Sequence, residues 1–125
     1  MIKTEAQIKK IRIAGKILAS VAASIQKAVK AGVMLKELDA LAHTLINEAG
    51  AEPAFLGYQP YGAAKPFPAS ICASLNEVVV HGIPNEAAKV LNEGDIVTLD
   101  PALIHNALYT DSAVTVGEGK MDAEA

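Results

Sequence analysis

Residues 97–116, VTLDPALIHNALYTDSAVTV, decide how this chain is read. The apolar, β-branched runs at 97–99 and 113–116 favour strand. His105-Asn106 between them is a turn candidate, because asparagine tolerates left-handed backbone. The stretch therefore predicts two strands folded back on each other. With His105 and Asn106 as the two loop residues, 104 pairs with 107, 103 with 108 and Asp100 with Asp111. Directly opposed residues share a face, with β-carbons about 4.5–5.5 Å apart. Two carboxylates so placed repel, and something positive, a proton or a metal ion, is needed to hold them together. A longer turn or a bulge shifts this register.

Upstream, Glu93-Gly94-Asp95 is a turn leading into the hairpin, and 85–92 reads as a polar linker. Residues 71–75 and 78–80 are strand-like, separated by Asn76-Glu77. His81 follows at once, ahead of Gly82-Ile83-Pro84. It is held in place near the surface, and by spacing alone it reads more readily as a capping or packing histidine than as a catalytic one. Residues 51–68 interleave Pro53, Gly57, Pro60, Gly62, Pro66 and Pro68 with Phe55, Tyr58, Tyr61 and Phe67. Such a stretch is either a connection between layers or the wall of an apolar pocket.

The N-terminal part is helical. Thr4 and Gln7 form a capping-box pattern, and Ile8, Ile11, Leu18, Val21, Ile25 and Val29 recur on one face until Ala31-Gly32. A second helix covers about 35–49, with Leu38, Leu41, Ala42 and Leu45 inward, Gly50 as the stop and His43 on its flank. After Val116 the chain is polar, and 117–125 is expected to be flexible. Two helices followed by strands predict an α+β domain, with the helices on one face of an antiparallel sheet.

At 125 residues the chain is long enough for one domain that buries roughly two-thirds of its unfolded surface. Its net charge of −3, without a basic patch beyond the first helix, argues against a nucleic-acid partner. No run of about 18 apolar residues suggests a membrane span, and MIKTEAQIKK lacks the apolar core of a signal peptide. Cys72 is the single cysteine, so no internal disulfide can form and a cytoplasmic setting is expected.

Residues 68–84, PASICASLNEVVVHGIP, followed by EGDIVTLD at 93–100 and a second aspartate eleven positions on, resemble the type I methionine aminopeptidases. GYQPYGAAKPFPASIC looks like the substrate-loop region of that family, and AGVMLKELD like the start of its second helix. The similarity runs to about residue 117. It implies the pita-bread fold, two pseudo-symmetric α+β halves around an antiparallel sheet, with 1–125 as the first half. It also implies removal of the initiator methionine from nascent polypeptides, at the ribosome, when the second residue is small. By position, Asp100 and Asp111 match two ligands of a dinuclear site for Mn, Fe, Co or Zn ions, with Asp111 as the bridging one. His81 matches a substrate-contacting catalytic histidine, and Phe67 and Cys72 fall where the family lines its methionine pocket.

Three departures stand out. Pro101 replaces a small or β-branched residue, the family's Asp-Gly turn becomes Asn106-Ala107, and Leu108-Tyr109-Thr110 replaces an aromatic-His-Gly run. The family also draws a histidine ligand, two glutamate ligands and a second substrate-contacting histidine from a second half. After Asp111 this sequence has Glu118, Asp122 and Glu124 and no histidine. The chain is therefore expected to be a fragment that needs a second half or a partner chain, poorly stable or self-associating alone and with little activity. The alternatives are a non-catalytic half-domain binding module, or a proline-specific relative sharing the aspartate pair, against which NEVVVHGIP argues.

Overall fold

The computed structural model describes residues 2–120. The elements in order are α1 (Glu5–Ala28), α2 (Leu35–Glu48), β1 (Glu52–Pro53), β2 (Ile71–Leu75), β3 (Ile96–His105), β4 (Leu108–Asp111) and β5 (Val114–Gly117). The capping box forms: the Gln7 N–H donates to Thr4 Oγ1 at 3.3 Å, and the Thr4 N–H to Gln7 Oε1 at 2.9 Å. The buried stripe of α1 begins only at Ala14 and runs through Leu18, Val21 and Ile25, while Ile8 stays exposed. On α2 the stripe is Leu35, Leu38, Ala42 and Ile46.

The ten-residue β3 is the spine of the sheet. β2 pairs antiparallel with its first half and β1 with its second, along one edge. β4 and β5 share the other edge. Side chains alternate along a strand. Val97, Leu99 and Leu103 thus face the helices and join Ile71, Ala73 and both helical stripes in one core. Thr98, Asp100, Ala102 and Ile104 point the other way, where no helix packs among the described residues.

Three expectations are corrected. The two-residue turn is Asn106-Ala107, both left-handed at φ 51° and 61°, so His105 pairs with Leu108 and Asp111 with Ala102 rather than with Asp100. A tight hairpin needs positive φ at both loop residues. Residues 78–80 are not a strand. Asn76 turns the chain at φ 51°, and Gly82 takes the open edge of β2 through the Ala73 N–H, leaving Val79 82% and Val80 62% exposed. The 85–92 stretch is more than a linker. Val90 bridges Met34, and Leu91, 1% exposed, exchanges backbone hydrogen bonds with Gly32 and Val33.

Of residues 117–125, Gly117 closes β5 and Glu118 trades backbone hydrogen bonds with Gly94 and Asp95, while 121–125 lie outside the described residues.

Thr110 opposes Leu103 and so points into the core, where its Oγ1 is buried without a partner. A buried orphan hydroxyl costs about 1–3 kcal/mol. Thr110→Val, nearly the same shape, is expected to raise the urea midpoint at unchanged slope, by a stability gain of about 1 kcal/mol.

Candidate metal centre

β3 presents Asp100 on the helix-free face, and β4 ends on Asp111. In the register found, Asp100 opposes Cys72 on one side, while Asp111 opposes Ala102, two residues along β3 on the other. The aspartates are diagonal neighbours, yet their carboxylates come within hydrogen-bonding reach. Burial first, and the Asp111 charge second, push the Asp100 carboxyl up to about 6, with the His81 ring opposing them. Cys72 adjoins both groups. Burial and then the two carboxylates push its thiol up to about 12, so it is an uncharged apolar surface at neutral pH and no thiolate ligand.

His81 sits beside Asp100 on a left-handed backbone, φ 58°, an uncommon state for a non-glycine residue. What holds it there is its neighbour. The Gly82 carbonyl accepts from the Ala73 N–H at 2.9 Å, and the Gly82 N–H donates to Ser74 Oγ at 3.1 Å. The exposed His81 side chain then lines a cavity of about 820 Å³ together with Phe55, Tyr58, Phe67, Cys72 and Ile83. Phe55 and Phe67 meet edge to face, centroids 6.1 Å apart. Of the two readings of 51–68, the pocket wall is the one seen. Phe67, Cys72 and His81 share one cavity, and Cys72 and His81 connect it to the aspartate pair.

Asp39 and His43 were not singled out for this region. One turn apart on α2, they reach the start of β2. Asp39 Oδ1 accepts from the Ser70 and Ile71 N–H groups at 2.7 and 3.1 Å, and His43 Nδ1 lies 2.9 Å from Ser70 Oγ. This is no nucleophile triad: Ser70 is 2% exposed, and Asp39 serves backbone donors. Burial pushes the Asp39 carboxyl up, against the pull of those two hydrogen bonds. The i, i+4 spacing was the available signal; its target, 27 to 32 residues away in sequence, was not visible.

Two hard carboxylates converging without a counter-charge between them fit a divalent cation. Among the described residues no third histidine, cysteine, aspartate or glutamate completes a metal-binding group with them. Two carboxylates by themselves would make up only part of a coordination shell.

A two-helix layer on an antiparallel sheet, with paired aspartates on its open face, is about half of the pita-bread fold used by metal-dependent hydrolases. The model of metallopeptidase family M24 matches residues 9–125, and the chain belongs to that family. It is 41% identical over 122 residues to a methionine aminopeptidase of Aquifex aeolicus, covering 98% of this chain and 47% of the relative. To one of Helicobacter pylori it is 43% identical over 123 residues, 98% and 46%. The methionine aminopeptidase structure from Rickettsia prowazekii superposes with a TM-score of 0.90 at 38% identity, covering 99% of this chain and 47% of that one. A prolidase from Pyrococcus furiosus, 20% identical, shares the fold at a TM-score of 0.80. The chain spans about half the length of the curated relatives it matches. No helix among the described residues is long and apolar enough to cross a membrane.

Proposed function

We propose that this chain contributes one half of a methionine aminopeptidase centre that removes the initiator methionine from nascent chains with a small second residue. The observation that carries the reading is the convergence of Asp100 and Asp111 beside His81, at the end of an apolar cavity. Asp100 and Asp111 would hold two divalent ions, drawn from Mn, Fe, Co and Zn, with Asp111 shared between them. Such ions, when bound, make a water acidic enough to attack and polarise the scissile carbonyl. This chain's own residues do the rest of the placing. Phe55, Phe67 and the neutral thiol of Cys72 offer the unbranched methionine side chain an apolar wall. His81 stands between that wall and the aspartates, where its ring can hydrogen-bond the substrate amide next to the bond being cut. The remaining donors and the second pocket wall come from a second half or a partner chain.

The test is complementation. The chain is mixed with the carboxy-terminal half of the Aquifex relative and supplied with Co²⁺ or Mn²⁺, and the freed N-terminal residue is measured from Met-Ala-Ser and from an X-Pro peptide. Metal-dependent release from Met-Ala-Ser alone is expected, lost when this chain carries Asp111→Asn. Release from the X-Pro peptide would move the reading to the proline-specific relatives. Peptide binding without metal or turnover would move it to a binding module.

A further inference from the structure

Phe67 and Cys72 face the cavity from either end of residues 68–71. The backbone between them runs through Ala69, Ser70 and Ile71, all buried. Buried N–H groups need partners, and the sheet offers few here. Among the described residues β2 pairs with β3 alone, and the N–H groups of Ile71 and Ala73 point to the outer edge. Gly82 takes the one at Ala73. No strand takes those of Ser70 and Ile71. Pro66 and Pro68 have no N–H with which to tie the stretch down.

Helix α2 supplies the acceptor. A single oxygen, Asp39 Oδ1, receives both N–H groups, from Ser70 at 2.7 Å and from Ile71 at 3.1 Å. Charge-assisted bonds of this kind run about twice the strength of neutral ones. His43, one turn on, adds a side-chain contact to Ser70 Oγ at 2.9 Å. At the exposed end, the Asn85 amide donates to the Pro68 carbonyl at 2.9 Å. The path from β2 to Phe67 is therefore set from a helix, not from the strands that carry the aspartates.

We propose that Asp39 is a positioning residue for the apolar pocket: the reach of its side chain fixes how 68–71 leave β2, and so where Phe67 stands relative to Cys72. Length matters here more than charge. A carboxylate one methylene further out must push the two N–H groups away from α2, and the wall with them. An amide oxygen at the same reach need not. That the pocket takes a methionine side chain rests on the reading above. The placing of Phe67 can be measured without substrate or metal.

Phe55 and Phe67 are the two phenylalanines of the chain, and both line the cavity. Labelling with fluorophenylalanine therefore gives two fluorine resonances, assigned with Phe55→Leu. Asp39→Asn, which keeps the reach and loses the charge, is expected to leave both resonances in place. Asp39→Glu, which keeps the charge and lengthens the reach, should move the Phe67 resonance by more than its linewidth, as should Asp39→Ala. If Asp39→Ala does not fold, Asp39→Glu decides. In the complementation mixture Asp39→Glu is expected to raise KM for Met-Ala-Ser about tenfold at nearly unchanged kcat, because a lost side-chain contact weakens ground-state and transition-state binding alike. Asp39→Asn should stay within about twofold of the parent. A merely structural role would lower kcat as well, and a purely electrostatic one would spare Asp39→Glu and harm Asp39→Asn. Either pattern overturns the proposal, and so does a Phe67 resonance that stays put in Asp39→Glu. If the parent mixture frees no methionine, the reading of the function fails instead, and the fluorine spectra alone decide the case of Asp39.

Discussion

Asp100→Asn is expected to raise the melting temperature of the metal-free chain above about pH 6 and to abolish the stabilisation that Co²⁺ or Mn²⁺ gives the parent. The folded chain holds the Asp100 proton up to about 6, whereas an unfolded aspartate releases it near 4. Between those values the folded state binds more protons than the unfolded one, so stability falls as pH rises. The contribution is fully present below about 4 and lost above about 6, where Asp100 is charged in its partly buried place beside Asp111. Asparagine cannot ionise, so the variant should lack this decline. A bound cation reverses the sign. At a hundredfold excess over Kd it stabilises by about 2.7 kcal/mol, provided it ignores the unfolded chain. Thermal melts from pH 4 to 8, with and without metal, read both effects. A variant whose metal response equals the parent's would sink the assignment of Asp100.

Gly82→Ala is the other large effect. Its φ is ordinary, so the obstacle is purely steric. An added Cβ would press on the Ala73 carbonyl oxygen and lie 2.8 Å from both the Ala73 carbonyl carbon and Ser74 Cα. All of these are backbone atoms of β2, which cannot retreat without breaking its pairing with β3. Relief by moving Gly82 instead forfeits two hydrogen bonds, to Ala73 and Ser74, and releases His81. A loss of about 3 kcal/mol or more is expected in urea unfolding, at the upper end of what single substitutions do. A loss below about 1 kcal/mol would mean that the loop is not pressed against β2.

The helices were legible because the signals for them are local. Thr4 and Gln7 announce the first turn, and the apolar period of three to four residues marks each buried stripe. The aspartate pair was legible for a reason of charge: both residues fall on one face of a hairpin. The register was not legible from the residues alone, because alanine does not advertise the left-handed backbone that Ala107 adopts and His105-Asn106 looked the better turn; the resemblance, which sets Asn106-Ala107 in place of the family's Asp-Gly turn, pointed to it. The valines at 78–80 have strand propensity, but the β2 edge they would have used is occupied by Gly82. The Asp39–Ser70 contact joins residues 31 apart in sequence, and no pattern in either segment names the other. The resemblance supplied what periodicity could not, the association of His81, Phe67 and Cys72 with one cavity.

The left-handed step at His81 sets chemistry against stability at a single residue. Of the twenty amino acids, glycine alone is achiral, and it would pass through φ 58° almost without cost. An L-residue with a side chain pays about 1–2 kcal/mol for the wrong handedness. Every drift toward glycine is therefore rewarded in folding and punished in the loss of the imidazole. The imidazole is therefore carried on this backbone at a folding cost that a glycine would not bear, the same cost Ala107 bears at φ 61° in the hairpin turn.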